Sequence, residues 1–144
     1  MIRFVHGTWR QAWPRMPLRC NLERVSHGVL PSANVMLQDF RQHIDVDARV
    51  CIHISDIVFE DGLHASWIAR GMFDGGDYIH CTFDTGVFVA GAWPNAAWLR
   101  TYVNRSYDLE QKYIRARVVY FSERTRVDVD DYGGMVIFNK DEEK

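Results

Sequence analysis

The segment CIHISDIVFEDGLHAS, residues 51–66, combines the side chains that hydrolases use: a thiol, two imidazoles, a hydroxyl and a carboxylate. The residues concerned are Cys51, His53, Ser55, Asp56 and His64. Strand geometry excludes a Ser–His–Asp triad here, because His53 and Ser55 share one face of a strand and Asp56 lies on the other. Same-face neighbours are also about 6.5 to 7 Å apart along a strand, beyond hydrogen-bond reach. The segment is therefore predicted to be a strand with polar residues and not a self-contained active site.

A metal site is the next chemistry that these residue types allow. Cys51 and His53 would share a strand face, and either His80 or Cys81 could join them from a neighbouring strand. A structural zinc ion needs four ligands, and the fourth is missing. The acidic run Val127–Asp131 lacks the glycine and the glutamate of a calcium loop. We therefore predict no metal and no cofactor.

Composition limits the class of protein. The chain has 144 residues, of which 47% are hydrophobic and 25% charged, and its net charge is −2, which fits one globular domain over 1–144 and makes nucleic acid an unlikely partner. The three cysteines are odd in number and lack CxxC spacing, which is typical of a reducing compartment. No apolar run of about 18 residues occurs. These features predict a cytoplasmic protein without a membrane partner.

The hydrophobic pattern predicts an α+β fold with a central antiparallel sheet flanked by about three helices. The predicted helices cover 31–43, 95–103 and 108–123, and the predicted strands include a β-hairpin over 50–59 and 62–69 and strands over 78–83, 87–90 and 135–138. Residues 1–30 are predicted to be an irregular basic lead-in and residues 139–144 a charged tail.

Three short segments occur in an order found in a known superfamily. ISDIVFEDG is followed by LHAS, and the predicted helix 108–123 is followed by VDVDDYGGMVIF. Over residues 48–138 this order resembles the circularly permuted NlpC-type papain-like superfamily of bacteria and phages, in a degenerate or truncated form. The position that matches the family's catalytic histidine is Ile54, with His53 one residue away. The family's cysteine after the glycine-rich segment is absent, because no cysteine follows Cys81.

The resemblance implies a cysteine hydrolase that cleaves an amide or an ester, with a recruited nucleophile. His53 would be the general base. Cys81 beside His80 is the first choice of nucleophile and Cys20 is the alternative. Either thiol would need a lowered pKa to attack a carbonyl at neutral pH.

The other hypothesis is a non-catalytic interaction protein of a phage or viral type on the same scaffold. Tryptophan and arginine are enriched in interface hot spots, and several lie in predicted irregular segments. The binding residues predicted on this ground are Trp9, Arg10, Trp13, Arg15 and Trp93. With the family's cysteine missing, the sequence favours this hypothesis: a host or partner protein is bound, and homodimerisation is possible through an apolar patch.

Overall fold

The computed structural model describes residues 3–26, 30, 32–75, 78–90, 113–130 and 133–141, and most of them lie in strands. The elements are a 3-10 helix Arg3–Val5, β1 Gly7–Trp13, β2 Leu18–Asn21, α1 Leu22–Val25, β3 Asn34–Asp45, β4 Val50–Phe59, β5 His64–Gly75, β6 Tyr78–Ala90, β7 Tyr113–Phe121, β8 Thr125–Asp130 and β9 Met135–Lys140. In these ranges, no helix has the length and apolar character needed to cross a membrane.

The strands form a closed antiparallel β-barrel. Neighbouring strands follow the order β1-β9-β8-β7-β6-β5-β4-β3-β2, and β1 also pairs with β3. This last pairing, which joins Gly7 to Ile44 and Arg10 to Arg41, closes a ring of eight strands. β2 lies outside the ring, on β3. Closure removes the free edges that an open sheet would expose.

Alternation along each strand decides which side chains face the barrel interior. In β4 buried and half-buried residues alternate strictly, from Cys51 through His53 and Ser55 to Ile57. In β5 the buried side chains are likewise every second residue, and Trp67 among them is fully buried. The predicted placement of His53 and Ser55 on one face, with Asp56 on the other, is confirmed.

Short helical segments pack against the barrel core. Val5 at the end of the 3-10 helix is buried, and its carbonyl accepts a 2.8 Å hydrogen bond from Trp9 Nε1. α1 begins after Asn21, whose side chain accepts a hydrogen bond from the backbone N–H of Glu23, as an N-cap residue does. Leu22 of α1 is buried in the same core as Val5.

The predicted α+β fold with about three helices is wrong, and with it the papain-like scaffold. Residues 34–45 form strand β3 where a helix over 31–43 was predicted, and residues 113–121 form β7 where a helix over 108–123 was predicted. The predicted helix 95–103 lies outside the described residues. The physical reason is that residues four apart, such as Phe40 and Ile44, also share one face of a strand, whose period is two.

Other predictions from the sequence agree with the observed strands or differ from them in where the strands begin and end. The hairpin is confirmed, with Ser55 opposite Trp67 and Val58 opposite His64. The two short strands predicted at 78–83 and 87–90 are one continuous strand, β6. Strands β1 and β2 occupy much of the segment that was predicted to be irregular.

Candidate functional site

A charged pair lies inside the barrel on β8. The side chain of Arg126 is fully buried, and its Nε and Nη2 donate hydrogen bonds of 2.9 and 3.0 Å to the two carboxyl oxygens of Asp128. Nη2 also donates to Gln42 Oε1 on β3. Gln42 Nε2 in turn lies 2.8 Å from His53 Nε2 on β4. Four polar side chains from three strands therefore form one interior hydrogen-bond network.

Aromatic rings enclose the guanidinium of this network. Its carbon Cζ lies 4.8 Å from the centre of the Trp9 ring and 4.6 Å from the centre of the Phe138 ring. The strand register explains the position of both rings, because Trp9 is opposite Gln42 and Phe138 is opposite Arg126. Arginine is well suited to such a site, since its planar, weakly hydrated group stacks on aromatic faces.

Burial shifts both members of the charged pair towards their neutral forms. Loss of solvent lowers the pKa of Arg126 from its ordinary value, although the nearby Asp128 carboxylate opposes that change. Burial likewise raises the pKa of Asp128, and Arg126 only partly offsets it. The electrostatic attraction within the pair is thus smaller than the free-energy cost of removing each partner from water.

Replacing Asp128 with asparagine is expected to change how stability depends on pH. Because burial raises the carboxyl pKa in the folded state, the folded protein binds the proton more tightly than the unfolded chain does. The stabilisation that Asp128 gives the folded protein is therefore fully present below the ordinary carboxyl pKa of about 4. It is lost as pH rises through the pKa of Asp128 in the folded state. Urea denaturation at several pH values gives the free energy of unfolding of the wild type and of Asp128→Asn. The wild-type value minus the Asp128→Asn value should fall as pH rises from about 4.

Asp74→Asn, which alters an exposed carboxyl on β5, is the matched control for this measurement. A wild-type minus Asp128→Asn difference that stays flat, or rises with pH, would contradict the shift.

A cavity of about 830 Å³ lies where β1 and β3 separate. These two strands pair only between Gly7–Arg10 and Arg41–Ile44, and beyond this β3 pairs with β2 instead. The lining comes from β1, β2, α1, β3, β4 and β9 and from the turns beside them: Gln11, Pro14, Leu18, Arg19, Cys20, Asn21, Arg24, Asn34, Val35, Met36, Val58, Phe59, Glu60 and Val136. We call this the side cavity.

The lining of the side cavity is apolar with charged residues at its exposed positions. Half-buried aliphatic, aromatic and thiol groups form much of it, and Arg19, Arg24 and Glu60 are exposed. Two arginines against one glutamate leave the rim with a net positive charge. Small-molecule sites typically have a volume of about 300–1,000 Å³, mainly apolar walls and a few polar groups.

The two residues predicted to be catalytic both face the barrel interior. His53 is bonded to Gln42, and its ring meets that of Phe40 edge-on, with the ring centres 5.1 Å apart. A hydrogen bond to Cys51 and burial raise the pKa of the Cys81 thiol far above its ordinary value. A nucleophilic cysteine needs the opposite shift. The alternative, Cys20, lines the side cavity.

The predicted binding residues lie in different environments. Trp9 is completely buried beneath Arg126, whereas 47% of the surface of Trp13 is exposed. Arg10 is on the outer surface, where it bonds to Asp39 and Asp141.

Of the other predicted binding residues, Arg15 is exposed and Trp93 lies outside the described residues. Binding of a partner protein, or of a second copy of the chain, stays a prediction.

A cluster of possible metal ligands is exposed on the surface. Within the described ranges, His6, Asp45 and Asp47 are the one group of three or more such residues whose ligand atoms lie within 4.8 Å of one another. Asp47 is already bonded to Arg3 at 2.7 Å, and Asp45 accepts a hydrogen bond from the N–H of Ala48. These bonds satisfy the cluster, which gives no support to a metal site.

Sequence reasoning missed Arg126 and Gln42 altogether. The only signal was the alternation in TRVDVD, where charged and aliphatic residues change places at every step. Such alternation predicts that the valines face the core, whereas Arg126 and Asp128 are buried and Val127 and Val129 are half-buried.

No protein-family model and no curated protein matches the chain.

Proposed function

We propose that this protein is a non-catalytic binding protein that holds one small, mainly apolar anion in the side cavity. The observation that carries the proposal is the cavity itself, about 830 Å³ in volume, with apolar walls and arginines at its rim. A reducing, intracellular setting fits the three free cysteines.

The lining indicates which part of a ligand would lie where. Leu18, Val35, Met36, Val58 and Phe59 offer aliphatic and aromatic surface, which suits a hydrocarbon tail or ring.

The exposed guanidinium groups of Arg19 and Arg24 suit a carboxylate, which an arginine can bind through two parallel hydrogen bonds. Glu60 on the same rim would disfavour a ligand with several negative charges. A single acidic group on an apolar body is the best match.

The test is a fluorescence titration with an anthroyloxy-labelled long-chain carboxylate and with the corresponding uncharged alcohol. The carboxylate should bind at one molecule per chain and more tightly than the alcohol. The double variant Arg19→Gln/Arg24→Gln should lose about tenfold in affinity for the carboxylate, because each exposed charge contributes up to about 1 kcal/mol. Arg70→Gln, an exposed arginine on β5 outside the cavity, should bind like the wild type.

Cys20 provides a second test in the same cavity. A bulky maleimide attached to Cys20 should block probe binding, since this thiol is part of the lining. The Cys20→Ser variant, treated in the same way, should still bind the probe. Absence of saturable binding of either probe, or equal binding by the blocked protein, would show that the side cavity is not a ligand site.

A further inference from the structure

A row of apolar side chains crosses four neighbouring strands on the outside of the barrel. Trp13 on β1 lies opposite Ile137 on β9. Val127 on β8 lies between Ile137 and Tyr120 of β7, and it pairs with both. Side chains at paired positions point to the same face of a sheet. Because Arg126, the neighbour of Val127 on β8, is buried in the interior, the row faces outwards. With strands about 4.8 Å apart, the row is about 14 Å long.

Two β-bulges turn the aromatic ends of this row outwards. The register of β1 shifts between Gln11 and Trp13, and that of β7 shifts between Val118 and Tyr120. Without the first shift, strict alternation would put Trp13 on the same inner face as the buried Trp9. Bulges commonly re-aim a side chain in this way. Both aromatic residues are about half exposed as a result.

The row is part of a larger apolar surface. Val119 is the additional residue of the β7 bulge, and Met135 lies beside the row on β9, opposite Val129. The most exposed members of this surface have between 43% and 56% of their area in contact with solvent. We call this surface the outer patch, and it consists of Trp13, Val119, Tyr120, Val127, Val129, Met135 and Ile137.

The size of the outer patch fits a second copy of the chain. From their exposed fractions and the usual areas of such side chains, its members expose about 500 Å² of apolar surface. A standard interface covers about 800 Å² on each partner, and about 65% of it is apolar in homodimers. The outer patch therefore supplies about the apolar area that one side of a homodimer needs.

The order of side chains along the row is self-complementary. A two-fold axis parallel to the strands, between β8 and β9, would place Trp13 of one copy on Tyr120 of the other. The same axis would place Val127 on Ile137, and each of these contacts would occur twice, as in any isologous interface. Each aromatic ring would thus meet another, which contributes affinity beyond the area buried.

We propose that the outer patch is the interface of a symmetric homodimer, in which Trp13 of each protomer packs against Tyr120 of its partner. The two barrels pack face to face through β1, β9, β8 and β7. Arg117, exposed on β7 opposite Val129, lies at the edge of the patch, where interfaces are polar. The dimer is independent of the proposed ligand site, because no residue of the outer patch lines the side cavity.

The test is sedimentation equilibrium of the full chain, in which the wild type should change from monomer to dimer between about 1 and 500 µM. Trp13→Glu and Tyr120→Arg should each weaken the dimer by about tenfold or more, since each change places a charge in two apolar contacts. Met72→Glu is the control. It alters an exposed methionine on β5 outside the patch, and this variant should dimerise like the wild type.

A mixture of Trp13→Glu and Tyr120→Arg tests the pairing itself. In the mixed dimer one contact again joins Trp13 to Tyr120, and in the other the introduced glutamate meets the introduced arginine. The mixed dimer should therefore be about tenfold tighter than the dimer of either variant alone. A partner of any other kind on the outer patch would not produce this recovery.

A wild type that remains monomeric at all concentrations would overturn the proposal and would mean that the occupant of the patch is not a second copy. Dimers of Trp13→Glu and Tyr120→Arg as tight as that of the wild type would also overturn it, as would a mixture no tighter than its components. If circular dichroism shows that either variant does not fold, Met135→Glu takes its place. This change lies on β9 within the patch and should weaken the dimer, and unchanged dimerisation would again overturn the proposal.

Discussion

Replacing Asp128 alone with leucine is expected to lower the free energy of unfolding by about 3–5 kcal/mol, whereas Arg126→Met/Asp128→Leu should be close to the wild type or more stable. The single change leaves the buried guanidinium without its carboxylate, and an uncompensated buried charge has a cost of this size. The double change removes both charges and puts apolar side chains in their place, while Gln42 keeps its contact with His53. Methionine can fill the space between the rings of Trp9 and Phe138.

Two observations indicate that the pair itself adds little net stability. Burial shifts the pKa of Arg126 down and that of Asp128 up, so desolvation exceeds attraction on both sides. In addition, Arg126 Nη1 is buried and has no hydrogen-bond acceptor among the residues that the structure describes. A buried donor in that state costs about 1–3 kcal/mol. Removal of both charges also removes that cost.

The measurement is a double-mutant cycle by urea denaturation at pH 7, with Arg126→Met as the second single variant. The two single changes should couple strongly, so that the loss in the double variant is far smaller than the sum of the single losses. Arg10→Met/Asp141→Leu, which removes an exposed ion pair on the barrel surface, is the control and should show coupling below about 1 kcal/mol. Additive losses at Arg126 and Asp128 would mean that the pair is not the coupled unit described above.

The β4–β5 hairpin could be predicted from the sequence because its signals are local. β-branched and aromatic residues on both sides of Glu60-Asp61-Gly62 indicate two strands and a turn, and Gly62 does adopt a positive φ of 85°. Closure of the ring could not be predicted in this way. It depends on the pairing of β1 with β3, whose residues lie more than 30 positions apart and carry no local signal.

Two bulges explain why the helical pattern in β3 and β7 was misleading. The register of β3 shifts between Leu37 and Asp39, and that of β7 shifts between Val118 and Tyr120. A bulge adds one residue and exchanges the two faces of the strand, so apolar residues on either side of it no longer keep a period of two. Such a mixed period can be mistaken for the 3.6-residue period of a helix. The β-branched residues of β7 were the better indication of a strand.

The interior network could not be inferred from the sequence because β8 inverts the usual pattern. A strand that alternates charge and valine is normally charged on the solvent side. Here the carboxylate of Asp128 and the amide oxygen of Gln42 accept hydrogen bonds from Arg126 inside the barrel, and two aromatic rings enclose its guanidinium. These partners come from β1, β3, β8 and β9, and only closure of the barrel brings them together. The outer side of β8 and β9 is correspondingly apolar, with Met135 exposed there.

Gly86→Ala is expected to lower the free energy of unfolding by about 3 kcal/mol, at the upper end of the cost of overpacking a core. A Cβ atom at this position would lie 2.3 Å from Cη2 of Trp67 and 2.5 Å from its Cζ2. Trp67 is fully buried, so its ring has no free space into which it could move. Gly86 lies opposite Ala69 in the β5–β6 pairing, two residues along β5 from Trp67, which places the ring against the bare backbone of the glycine.

The double variant Trp67→Phe/Gly86→Ala identifies the cause of that loss. A smaller ring removes the collision, so Gly86→Ala should cost at least 1.5 kcal/mol less in the Trp67→Phe background than in the wild type. Gly62→Ala is the control: nothing lies within 4 Å of a Cβ there, and its cost of about 1 kcal/mol arises from the positive φ alone. That cost should be the same in both backgrounds. Circular dichroism in urea measures all of these variants, because tryptophan fluorescence changes with the substitution. Equal losses for Gly86→Ala in the two backgrounds would mean that the ring of Trp67 is not what excludes a side chain at position 86.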